Sequence, residues 1–219
     1  MSIVTTIKGL LYGGFVSLPL VLIGIVVFLA TTLGNIGLIM LALGHVFLVP
    51  FITFFANLLH EYFFPESPYL KVVSSDLCQL IPSIPPSTAQ TFVGPSYWMA
   101  HVVFFFSFLI TNASTLYAKD AAANADPNKV ENRKAQTMTS IILSVITFVF
   151  LVALRYLFMG CETPLGIFFA LLLLIPVGYG WYELAIICGA RDADIFGILQ
   201  KILPPEFKDE VPMTCVYSP

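Results

Sequence analysis

Charge is what this 219-residue chain has least of: Asp, Glu, Lys and Arg make up 11% of it, less than half of the roughly 25% usual in soluble domains. With 58% hydrophobic residues and a mean hydropathy of +0.90, it has too little polar surface to cover a water-soluble globule of this size. Lipid must solvate most of it. That excludes a soluble enzyme and a disordered regulator. Thirteen acids against ten bases leave no basic surface for nucleic acid. Three histidines are too few for a histidine-box di-iron centre, and the four cysteines show no metal-ligand spacing. No Ser/His/Asp grouping or phosphate loop occurs, and Gly94-Pro-Ser96 is not a nucleophile elbow. The expectation is a protein without catalytic residues, cofactor-binding residues or metal ligands, and with no small-molecule substrate.

What the chain does have is long apolar runs. Between Lys8 and Glu61 there is no Asp, Glu, Lys or Arg, and a spanning helix needs only about twenty residues. Two helices and a turn therefore fit, the turn falling at Thr31, Thr32, Gly34 and Asn35. The remaining runs complete a set of spans near 9–31, 35–59, 97–118, 137–159 and 165–188. The fold class expected is all-α: an integral membrane bundle of about five transmembrane helices, with a C-terminal amphipathic surface helix, forming one multi-span domain over 1–219. Outer-membrane strands alternate apolar and polar residues, and these runs do not. The stretch after Lys8 is too long for a signal-peptide core and lacks a small-x-small cleavage site, so it reads as a retained helix.

Basic residues set the expected orientation. One side would hold Lys8 and Lys71; the other would hold Lys119, Lys129, Arg133, Lys134, Arg191, Lys201 and Lys208. Seven against two puts the N-terminus on the non-cytosolic side and the C-terminus in the cytosol. The 60–96 connector carries Pro65, Pro68, Pro82, Pro85, Pro86 and Pro95, a density that favours extended chain. In the 119–136 connector Asp126 can cap a helix that starts at Pro127, so both flanking helices are expected to project from the bilayer as a cytosolic hairpin. In the 189–219 tail, Ile195, Ile198, Leu199 and Ile202 fall at helical spacing, with Asp192 or Asp194 as cap and Pro204-Pro205 as stop, a helix expected to lie along the membrane surface or against the cytosolic ends of the spans.

Polar groups inside a membrane are the first functional candidates. Four stand out: His45, His101, Arg155 and Glu183. At helical rise the two histidines differ in depth by roughly 10 Å, which argues against a shared haem. Arg155 and Glu183 are expected near opposite faces, too far apart to pair and free to snorkel to water. Pro176-Val-Gly-Tyr-Gly180 imitates a potassium-channel filter, but only about ten apolar residues follow it, short of a pore-lining span. A proline kink beside two small residues is the plainer reading. Gly9, Gly13, Gly34, Gly37 and Gly44 offer similar small surfaces. Cys78 and Cys161 both fall on the non-cytosolic side, where a disulfide can persist; a bridge between them is expected, the alternative being two free thiols.

Three strings in the C-terminal third carry a likeness to known proteins: Gly160–Gly166 (GCETPLG), Cys188–Gly197 (CGARDADIFG) and Pro212–Tyr217 (PMTCVY). In these the chain resembles small multi-span inner-membrane and minor capsid-associated proteins of nucleocytoplasmic large DNA viruses. The resemblance implies a structural component of a virion inner membrane derived from host endomembrane, partnered by the lipid bilayer and by other subunits of a large assembly. It assigns no functional residue. A small transporter or channel lined by the four polar candidates, and an accessory subunit of an organellar membrane complex, are the alternatives.

Overall fold

The computed structural model describes residues 12–64, 71–73, 78, 90–92, 94–121, 126–190 and 195–196. These residues form an all-α membrane bundle. Its helices are α1 (Leu18–Leu33), α2 (Ile36–Phe63), α3 (Tyr97–Ala118), α4 (Pro127–Phe158) and α5 (Pro164–Ile187). The last four are long and apolar enough to cross a membrane, while α1 is a shorter apolar helix. Residues 12–16 are also helical, and the bonds Ser17 N to Gly13 O and Val21 N to Ser17 O, at 3.1 and 3.0 Å, carry that turn into α1.

Local chemistry explains each boundary. Gly34, at φ 61°, ends α1 in the left-handed region that glycine enters without penalty. Asn35 then starts α2, its side-chain oxygen accepting from the backbone N–H groups of Gly37 and Leu38. Ser96, Asp126 and Thr163 cap α3, α4 and α5 in the same way, and α4 and α5 begin with the favoured proline. The Asp126–Pro127 start is as expected. The projecting hairpin is not: α3 stops at Ala118, and the Arg133 guanidinium folds back to donate to the Lys119 carbonyl at 2.6 Å. Only α4 continues. A basic side chain on the terminal carbonyls of α3 takes the place of further helix.

Two helices widen by one residue in a turn. In α2 the wide turn is Gly44–Leu48, directly before Pro50, where the extra width gives the proline ring room against the preceding carbonyls. It leaves Gly44 and His45 on the buried side. The second wide turn, Leu154–Phe158, ends α4 and buries Arg155.

The 60–96 connector opens with the last turn of α2, through Phe63. Its described part includes strands β1 (Lys71–Val73) and β2 (Gln90–Phe92), paired antiparallel with Val72 opposite Thr91. Most of its prolines, and Asp192, Asp194, Ile198, Leu199, Ile202 and Pro204-Pro205 of the tail, lie outside the described residues.

Helix α3 is the axis of the bundle, packing chiefly against α5 and α4. Trp98, Met99, Phe104 and Phe108 on α3 are fully buried with Leu41, Val49, Leu174 and Tyr182 from α2 and α5. The tightest approach is at Gly178. A Cβ there would lie 2.7 Å from Ser107 Cβ and 3.2 Å from the Phe104 carbonyl oxygen. Gly37 and Gly44 also seat neighbouring side chains, whereas Gly13, Gly34 and Gly180 have nothing within 4 Å. The small residues expected to mediate packing thus divide. Gly178→Val should lower stability by about 1–3 kcal/mol through overpacking, while Gly180→Val should change it little. Apparent Tm in detergent micelles reads both; equal shifts would contradict the close approach.

Candidate functional site

The buried polar side chains gather in two places. The larger cluster surrounds Arg155 in the last turn of α4, which is 0% exposed. Its Nε lies 3.3 Å from Glu162 Oε1, its Nη2 donates to the Cys78 carbonyl at 2.7 Å, and its Cζ sits 5.0 Å from the centre of the Trp98 ring. A planar guanidinium suits this task, because its fork serves an anion and a carbonyl while its face stacks on an indole. Glu162 Oε1 also accepts from the Ser96 hydroxyl at 2.5 Å. The same Ser96 oxygen accepts from Met99 N at 3.0 Å, so one residue caps α3 and fastens it to the α4–α5 connector. Burial pushes the Glu162 carboxyl above its ordinary range, opposed by the Ser96 hydroxyl and the Arg155 guanidinium.

A disulfide joins Cys78 to Cys161 beside this cluster, tying the 60–96 connector to the α4–α5 turn. Two further contacts spread outward. Asn57 on α2 donates to the Pro95 carbonyl at 3.1 Å and accepts from Gly94 N at 3.2 Å. Trp98 Nε1 donates to the Phe15 carbonyl at 3.0 Å, which reaches the turn before α1. Every helix therefore connects to the cluster at this end of the bundle. Cys188, the free cysteine among the described residues, is exposed at the end of α5.

The second cluster is a histidine pair. His45 Nδ1 and His101 Nδ1 are 3.1 Å apart, and both rings are buried. One nitrogen must donate and the other accept, so the accepting ring carries its proton on Nε2. His45 Nε2 is buried with no hydrogen-bond partner among the described residues. A stranded acceptor costs less than a stranded N–H, which assigns the Nδ1 proton to His45. Edge-on contact with Phe104, ring centres 5.1 Å apart, completes the enclosure.

At the opposite end of the bundle from the disulfide, contacts again serve attachment. Trp181 Nε1 donates to the Met40 carbonyl at 2.7 Å. Asn35 donates to the Ile195 carbonyl at 3.1 Å, and Ile195, 1% exposed, fills the space left by Gly37. Phe196 meets Phe105 and Phe108. This part of the tail is inside the bundle, not along the membrane surface.

Two sequence expectations change. His45 and His101 meet although helical counting separates them, because α2 and α3 are not level at the disulfide end: Asn57, six residues before the end of α2, lies beside Gly94 and Pro95. Arg155 does not snorkel: the wide turn directs it inward, where Glu162 gives it a partner. Glu183 is exposed near the end of α5 and does not join either cluster. Glu162, Ser96 and Asn57 escaped sequence reading since each lies at a span boundary, where polar residues are ordinary. The signal available was the lone Glu beside Cys161, seven residues beyond Arg155. Among the described residues, no group of three or more His, Cys, Asp or Glu could hold a metal ion. No protein-family model, curated protein or solved structure matches this chain.

Arg155→Met should cost about 3–5 kcal/mol by stranding Glu162, and Arg155→Met with Glu162→Leu should recover much of that loss. Apparent Tm reads both; a double variant no better than the single one would contradict a paired cluster. Reduction should slow migration of the denatured protein on a gel, and Cys78→Ala should abolish the difference; unchanged migration in the unsubstituted protein would contradict the bridge.

Proposed function

We propose that this membrane protein is a non-enzymatic scaffold or anchor within a larger assembly. Following the resemblance of its C-terminal third, its place would be a viral inner membrane that it ties to the capsid. The observation that supports the reading is the use of the buried polar side chains. Arg155, Glu162, Ser96, Asn57 and Asn35 each hold one segment of the chain to another, and His45 and His101 join α2 to α3 through one hydrogen bond. Groups arranged this way stiffen a bundle, and a stiff bundle suits a protein whose task is to present surfaces. The partners are the bilayer and other protein subunits, not nucleic acid. The disulfide end faces the non-cytosolic side, as the distribution of Lys and Arg predicts.

A transporter or channel would instead use His45, His101, Arg155 and Glu183 along one route, whereas Arg155 and Glu183 sit in separate surroundings. An organellar accessory subunit would share the anchoring mechanism and differ only in its partners. Gentle solubilisation followed by sedimentation separates these readings. A structural subunit travels with a large complex whose other chains mass spectrometry names. Migration as a monodisperse monomer, together with ion flux in liposomes that Glu183→Gln abolishes, would overturn the proposal.

A further inference from the structure

The outer face where α3, α4 and α5 meet holds a cleft of about 480 Å³. Its walls are Phe106 and Ile110 on α3, Phe148 on α4, and Pro176 and Tyr179 on α5, with Ser107 and Thr111 at its base. It forms because Gly178 draws α5 against Ser107, while α4 stands away from that contact. The two hydroxyl groups are already committed. Ser107 donates to the Ile175 carbonyl and Thr111 to the Ser107 carbonyl, each at 2.8 Å. Neither has a proton left for an occupant; the Tyr179 hydroxyl is the other polar side-chain group of the lining, and the remaining side chains are apolar.

Its depth selects the occupant further. Ser107 lies midway along α3 and Pro176 midway along α5, while Phe148 is central in the apolar part of α4. The cleft therefore sits near the bilayer midplane, about 15 Å from either headgroup layer. A lipid headgroup does not reach that depth, but the far end of its chain does. A partner's helix would lie along the whole length of a groove, and this cleft is local.

We propose that the cleft is a binding site for the terminal part of one phospholipid acyl chain, held in preference to the surrounding lipid. Chain length is then the determinant of binding, and the headgroup is not.

The test compares lipid retention by the full chain in native mass spectrometry after reconstitution with dipalmitoyl or didecanoyl phosphatidylcholine. One long-chain lipid should stay bound, at an occupancy about tenfold above the short-chain lipid, as the loss of a few buried methylenes requires. Ile110→Trp, which fills the cleft, should remove that lipid. Leu143→Trp, on an exposed part of α4 away from the cleft, should keep it. Phe148→Trp supplies a second readout if Ile110→Trp fails to fold: its fluorescence should be quenched more by lipids brominated at the chain terminus than by lipids brominated near the carbonyl. Equal retention by Ile110→Trp and the unsubstituted protein, stronger quenching from the shallow bromines, or a doubled mass in place of bound lipid would overturn the proposal.

Discussion

A polar group buried among membrane helices has no water to fall back on, and the rest of this structure follows from that constraint. Arg155 shows it most clearly. Its charge is balanced by Glu162, its Nη2 donates to the Cys78 carbonyl, and its face lies on Trp98. Each partner comes from a different segment, so satisfying one guanidinium fixes the 60–96 connector, the start of α3 and the α4–α5 turn together. The disulfide repeats that connection covalently.

Packing supplies what polar contacts cannot. Between spans in lipid there is little hydrophobic driving force, and close van der Waals contact takes its place. Gly178 against Ser107 and Gly44 against Phe104 bring α5 and α2 to the central helix. The consequence is uneven burial: α3 is largely enclosed, while α4 presents most of its apolar surface outward. A protein built this way has a fixed centre and broad exposed flanks, the distribution expected where further lipid or protein is to be bound.

The spans were legible in the sequence because the absence of charge over twenty residues has few explanations, and Gly34, Asn35 and Asp126-Pro127 announced their boundaries. The Cys78–Cys161 pairing followed from compartment chemistry, and the structure joins the same two residues. Depth was harder to read. His45 and His101 came together against expectation because the ends of α2 and α3 are not level and the wide turn of α2 changes the register, and neither leaves a mark in hydropathy. The inward turn of Arg155 was hidden for the same reason. Ile195 had the spacing of a surface helix, yet the space left by Gly37, remote in sequence, decided where it went.

The account holds that these helices enclose no water and that their polar groups act as attachments. Amide hydrogen exchange of the protein in liposomes tests this most directly. Residues 100–113 of α3, which carry His101 and the floor of the bundle's contacts, should stay protected for hours. Rapid exchange there, on a par with the ends of the helix, would mean that water reaches the centre of the membrane through this protein and would contradict the account.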